Sequence, residues 1–148
     1  MHELARHGRG GRGRIEQHRG GGRASARETA CRVAAGAIAK KLLAHYQIDL
    51  VAYIKEVGGI TATIDSGDIT QLRAALHASP VRCPDPQASE QISLAIEQAK
   101  RENDSLGGIV EVITGSLPVG LGEPIYEKIE AQLAKAFLSI PACKGCEI

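Results

Sequence analysis

Residues 25–46 read SARETACRVAAGAIAKKLLAHY, and this stretch determines how the rest of the chain is interpreted. It has no proline, a single glycine, and alanine or leucine at most of the positions that a helix would turn inward. Ser25 precedes Glu28 by three residues, the spacing at which a hydroxyl and a carboxylate cap the free amides of a helix start. The stretch therefore predicts one long helix with a capping box at its beginning.

The chain after this helix alternates between strand-like and helix-like patterns. Residues 48–57 and 60–64 are rich in β-branched residues and are separated by Gly58-Gly59, which predicts two adjacent antiparallel strands. The order of elements predicts an α+β class. The further predicted elements are a short helix over 68–77, a polar helix over about 87–103, a strand from Gly108, a helix with the stripe Ile125, Ile129, Leu133 and Phe137, and a last strand in the closing CKGCEI.

The chain before the helix has a different composition. Residues 1–22 contain seven of the 17 glycines, and residues 1–23 carry six arginines against two glutamates. Such a segment has too few apolar side chains to offset the entropy of ordering, so a flexible arm is expected over residues 1–18. The remaining residues, 19–148, are expected to form one domain.

Length and hydropathy exclude several classes of protein. The longest uncharged stretch has 11 residues, Val112–Gly122, whereas a membrane-spanning helix needs about 20 apolar residues. No apolar segment follows the basic N-terminus, so a secretory signal is not expected. Four cysteines without an export signal indicate reduced thiols, and a cytoplasmic location is expected.

The motif HRGGGRASARE, residues 18–28, carries the clearest local chemistry. Glycines allow a ligand to approach the backbone closely, and free amides at a helix start favour an anion. Arg19, Arg23 and Arg27 would add guanidinium groups, so the motif suits a phosphate. A flexible Gly/Arg tail that leads into an ordinary capped helix explains the same residues equally well.

Three other patterns are weaker. The Gly/Arg arm permits non-specific binding of nucleic acid, but it contains no aromatic residue for base stacking. Cys143 and Cys146 have the CxxC spacing of zinc and redox sites, but no second pair or nearby histidine completes a metal site, so no metal is predicted. The loop LPVGLGEP, residues 117–124, indicates either a ligand contact or a tight connection that places Glu123 near a helix start.

Several long strings together resemble chorismate synthase. They occur in the order and at the spacings of that family, and they cover residues 19–148. The strings are RGGGRASARETACRVAAGAIAKKLL at 19–43, CPDP at 83–86, NDSLGGIVEV at 103–112, LPVGLGEPIYEKIEA at 117–131 and LSIPACKGCEI at 138–148.

The resemblance implies an enzyme of the shikimate pathway that converts 5-enolpyruvylshikimate 3-phosphate to chorismate and phosphate. The implied reaction is an anti-1,4 elimination that requires reduced FMN. The implied fold is a β-α-β sandwich with helices packed between antiparallel sheets, in a cytoplasmic homotetramer. The resemblance also associates the family with NADP, without fixing the source of the electrons that reduce FMN.

The family's flavin-contacting triplet falls on Arg23, Ala24 and Ser25, which the resemblance implies as cofactor-binding residues. Family members commonly have serine where Ala24 stands, so one hydroxyl contact would be missing. Arg27 matches an arginine that the resemblance assigns to the substrate's anionic groups.

The chain also departs from the family pattern. Family members are considerably longer, and the histidine-containing segment expected upstream of RGGGR does not align with residues 1–18. His2 and His7 lie in that stretch outside the expected context, so no catalytic residue is predicted. We therefore expect a truncated member that corresponds to the middle section of the family.

Overall fold

The computed structural model describes residues 27–64, 68–123 and 125–148. They form an α+β fold with one antiparallel sheet, which confirms the predicted class. In chain order the elements are α1 (Glu28–His45), β1 (Leu50–Val57), β2 (Ile60–Thr61), α2 (Ile69–Ala78), α3 (Pro86–Arg101), β3 (Gly108–Thr114) and α4 (Ile129–Leu138).

The sheet has the order β2-β1-β3, so β1 is its central strand. Gly58 and Gly59 join β1 to β2 with φ angles of 60° and 84°, the left-handed backbone that a tight hairpin turn requires. This confirms the predicted pair of antiparallel strands. β3 then pairs along the whole of β1, with one register shift between Ile54 and Glu56.

The second strand is shorter than predicted. The sequence predicts a strand over residues 60–64, whereas β2 ends at Thr61. The Ala62 amide still donates to the Lys55 carbonyl over 2.8 Å, but the next contact involves a different segment, because the Ile54 amide donates to the Arg82 carbonyl over 2.9 Å. The segment that contains Arg82 therefore bonds to β1 at Ile54, beyond the end of β2.

Two apolar clusters lie against β1. Val51 and Tyr53 pack with Leu72 and Leu76 of α2. Ile54 packs against the second cluster, which contains buried residues of the 83–92 segment. Ile64 packs against both clusters, so the two clusters adjoin each other. The second cluster consists of Ala62, Cys83, Ala88 and Ile92.

Tyr53 contributes a polar contact as well as its buried ring. Its hydroxyl donates to the Glu111 carboxylate directly across the strand pair, and Lys55 lies 3.4 Å from the same carboxylate. Burial and the neighbouring carboxylate raise the pKa of Tyr53 far above its usual range. The hydrogen bond from Tyr53 lowers the pKa of Glu111, so the pair is stable as phenol and carboxylate.

Asp85 connects α3 to the end of the hairpin. Its carboxylate accepts hydrogen bonds from the amides of Gln87 and Ala88, at 2.9 and 3.1 Å, and so caps α3. Its other oxygen accepts from the Thr63 amide at 3.0 Å. These amide donors, led by Thr63, lower the pKa of Asp85.

We predict that Asp85→Ala lowers the free energy of unfolding by about 1–2 kcal/mol, because a helix cap and the contact to Thr63 are both lost. Asp85→Asn keeps one acceptor oxygen and should cost less. Since the folded-state pKa is lowered, the charge contributes stability above the unfolded-state pKa and loses it as pH falls through the folded-state value. Urea unfolding at pH 7 and below about pH 4 measures both effects. Equal stability of Asp85→Ala and the unsubstituted chain at pH 7 would contradict this role.

Candidate functional site

The start of α1 contains the one predicted site residue that the structure describes. Arg27 is exposed and occupies the cap position with a helical backbone, at φ −58° and ψ −28°. Among the residues that the structure describes, no side chain makes a capping hydrogen bond at this end. Arg23, Ala24 and Ser25 lie outside the described residues, as does the Gly/Arg arm. The capping box of Ser25 with Glu28 therefore remains a prediction.

The chemistry at this end of α1 is suited to an anion on two counts. The first-turn amides of a helix carry partial positive charge, and the Arg27 guanidinium adds a full one. Glu28, in the first turn, brings a negative charge to the same end. The described residues thus supply donors for a phosphate together with one carboxylate that would have to face away from it.

An open pocket lies at the opposite end of α1. Lys40, Asp49 and Arg73 are among its lining residues. Arg73 donates to Asp49 at 2.5 Å and to the Leu50 carbonyl at 3.3 Å. The hydrogen bond from the Arg73 guanidinium lowers the pKa of the Asp49 carboxyl group. The pair fixes the start of β1 to α2.

This pocket is distant from the predicted site. The 18 residues of α1 place its two ends roughly 27 Å apart at 1.5 Å per residue. Arg27 and Arg73 therefore cannot contact one phosphate group. Sequence reasoning missed the Asp49–Arg73 pair, because 24 residues separate its members and no local pattern links them.

The loop that contains Gly120 and Gly122 makes a tight turn, which brings Gly122 against the start of α4. Gly120 and Gly122 have φ angles of 97° and 72°. A Cβ atom on Gly122 would lie 2.2 Å from the backbone nitrogen of Ile129, the first residue of α4. Of the two interpretations of this loop, the structure supports a tight connection at Gly122.

This turn determines where the last helix begins. The stripe from Ile125 predicts a helix that includes this residue, but α4 starts at Ile129, and Ile125 lies in a turn with 73% of its surface exposed. Glu123 is consequently not at the helix start, contrary to expectation. α4 begins late because the backbone of Gly122 lies against Ile129, so residues 125–128 form the turn that leads into the helix.

The cysteines do not form a metal site in the described residues. Cys83 is buried, and its burial raises the pKa of its thiol. Cys143 is half-buried, Cys146 is exposed, and no group of three metal-ligating side chains is found among residues 27–64, 68–123 and 125–148. The prediction of a strand in CKGCEI was wrong, since residues 143–148 have no strand structure and none of the described strands pairs with them.

The described histidines lie at helix ends. His45 occupies the last turn of α1, and His77 occupies the last turn of α2. No described helix has the length and apolar character needed to cross a membrane.

The sequence profile described as Chorismate synthase matches residues 12–148. The chain belongs to the chorismate synthase family. The match begins at residue 12, ahead of Arg19, which is the first residue of the family strings quoted above. Curated chorismate synthases are about half identical to this chain over the aligned residues. Those of Methanosarcina mazei and Synechocystis sp. are both 49% identical over 134 residues, and that of Aeropyrum pernix is 46% identical over 132.

A solved structure shows the same relation in three dimensions. A crystal structure of a chorismate synthase superposes with a TM-score of 0.74 and 33% identity, over 83% of this chain and 40% of the other. The aligned part is 90% of this chain but only 36% of the Methanosarcina and Synechocystis proteins. The chain thus spans about a third of the length of the curated relatives it matches.

We predict that Gly122→Ala disrupts the first turn of α4. The added methyl group would meet the Ile129 backbone and would force an unfavourable positive φ. Gly120→Ala is the matched control, because its φ is also positive but nothing lies within 4 Å of the new Cβ. NMR Cα shifts of residues 129–133 should lose helical character in Gly122→Ala only. Equal loss in both variants would show that backbone strain, and not the contact with Ile129, governs the loop.

Proposed function

We propose that this chain provides part of the active site that converts 5-enolpyruvylshikimate 3-phosphate to chorismate and phosphate. Family membership is the observation that supports the proposal. The chain spans about a third of the length of its relatives. We therefore assign the complete activity to a larger assembly in which this chain takes part. We extend the proposal to the cytoplasmic homotetramer that the resemblance implies.

The substrate's charges explain the role proposed for Arg27. The substrate carries one phosphate and two carboxylates, so its binding site must offset several negative charges. The exposed Arg27 guanidinium and the first-turn amides of α1 are donors of the kind that bind such groups. We assign Arg27 to binding of the substrate anion, with Glu28 turned away from it.

The same end of α1 is the proposed contact for FMN. Arg23, Ala24 and Ser25 precede the described residues and would hold the flavin next to the substrate. The described donors suit the phosphate group of FMN on chemical grounds. Reduced FMN, when bound, supplies the transient electron that helps the substrate's phosphate to leave. This chain's own contribution is to bind and orient the anions, and no residue of it is assigned to proton transfer.

An activity assay tests the proposed reaction. The chain alone, with reduced FMN and 5-enolpyruvylshikimate 3-phosphate, should form little or no chorismate. Addition of the remaining part of a chorismate synthase should produce turnover. Robust turnover by this chain alone would contradict the view that it is only part of the site. A stable assembly that binds neither FMN nor substrate would contradict the proposed function.

We predict that Arg27→Ala weakens substrate binding about tenfold or more, because a charge-assisted hydrogen bond contributes about 1.5–3 kcal/mol. Arg101→Ala is the control, since Arg101 is an exposed arginine at the far end of α3 that pairs with Glu97. Isothermal titration with the substrate, in the assembled protein, measures both variants. Equal affinities of Arg27→Ala and Arg101→Ala would remove Arg27 from the site.

A further inference from the structure

Cys143 and Cys146 are a pair of thiols that the proposed function does not use. Lys144 and Gly145 stand between them, so the two cysteines are the first and fourth residues of a four-residue segment. Both are free thiols, with Cys143 half-buried and Cys146 exposed. A small reagent in solution can therefore reach the pair through Cys146.

The backbone already directs the Cys143 side chain toward the second cysteine. The Cys143 amide donates to the Ile140 carbonyl over 3.1 Å, which fixes this residue shortly after the end of α4. Its Sγ donates to the carbonyl oxygen of Gly145 over 3.4 Å, and Gly145 is the residue that precedes Cys146. The Cys143 thiol thus lies beside the segment that carries its potential partner.

A turn over residues 143–146 would bring the two sulfur atoms together. A disulfide needs about 4.4–6.8 Å between its two Cα atoms, and a β-turn holds its first and fourth residues within about 7 Å. In the structure these four residues belong to no helix, strand or turn. Nothing lies within 4 Å of a Cβ at Gly145, and glycine accepts either sign of φ. Closing the turn therefore disrupts no helix or strand and meets no obstacle at Gly145.

Two other uses of a CxxC pair fit the surroundings less well. A structural zinc site needs four ligands, and residues 27–64, 68–123 and 125–148 contain no group of three metal-ligating side chains. The reactive thiolates of redox enzymes are favoured at a helix N-terminus, whereas Cys143 follows the C-terminal end of α4 at Leu138. The pair is thus better suited to being modified than to catalysing disulfide exchange in a substrate.

We propose that Cys143 and Cys146 form a reversible disulfide by exchange with small disulfides such as glutathione disulfide. The exposed Cys146 thiolate attacks one sulfur of glutathione disulfide, and one glutathione thiolate leaves with the electron pair of the broken bond. The Cys143 thiolate then attacks the Sγ of Cys146 and expels the second glutathione. The two cysteines lose two electrons and two protons in total, and glutathione disulfide gains them as two thiols.

Closure changes the backbone locally and leaves the core untouched. Residues 143–146 pass from an open segment to a turn, while the bond from the Cys143 amide to Ile140 can stay in place. A ring of four residues constrains little of the unfolded chain, so the disulfide adds little stability and excess thiol opens it again. The inference is independent of the proposed function, because it requires neither FMN nor substrate.

The test is exchange on the intact 148-residue chain, followed by peptide mapping. The reduced chain is incubated with glutathione disulfide, its free thiols are blocked, and the unfolded product is cut with trypsin. Cleavage after Lys135 and Lys144 places the two cysteines on separate peptides, residues 136–144 and 145–148. We expect these peptides to stay joined, within a single chain, by a disulfide that dithiothreitol opens. Two separate peptides, or a joined pair found only in covalent dimers, would overturn the proposal.

Single substitutions show whether the second thiol closes the bond. In Cys143→Ser and Cys146→Ser the remaining thiol has no neighbouring cysteine, so it should retain glutathione, as should the exposed Cys31 of the unsubstituted chain. The intact pair should retain at least about tenfold less glutathione, because a neighbouring thiol expels it faster than a thiol from solution does. Cys31→Ser is the matched control and should leave the joined peptides unchanged. Equal retention of glutathione by the intact pair and by the single variants would contradict the proposal, since the two cysteines would then react independently.

Discussion

The central position of β1 is the constraint on which the described fold depends. Its two edges bond to β2 and β3, and its Ile54 amide also holds the 81–85 segment through the Arg82 carbonyl. Tyr53 of this strand packs against α2, and Ile54 packs against the cluster that includes residues of α3. Removing this strand would leave β2, β3 and α2 without their main partner, so the core of the described chain is built around β1.

The candidate site lies away from that core, and this has consequences for function. Arg27 stands at the far end of a helix that has no buried residue, and the Gly122 return leads to α4, which also has none. Two of the quoted family strings therefore include helices that have no buried residue in the described structure. An anion site built on such elements needs its supporting layers before its donors can be held in place.

Local features were predictable from the sequence, and distant pairings were not. The Gly58-Gly59 hairpin and the helix that starts after Asp68 follow from turn and helix patterns within a few residues. The short β2 and the late start of α4 depend on contacts made by Arg82 and Gly122 with other segments, which no periodicity encodes. At the site, sequence strings identified the family and located Arg27, while the residues before it lie outside the described structure.

Amide hydrogen exchange on this chain alone tests most directly the claim that its core is complete around β1 and open around α1. The account predicts that the amides of Val51–Ile54 exchange slowest, and that those of Val33–Ala39 exchange faster by about a hundredfold or more, because an uncovered helix opens locally at little cost. Protection of Val33–Ala39 equal to that of the central strand would contradict the account, since it would mean that α1 already has its cover within this chain.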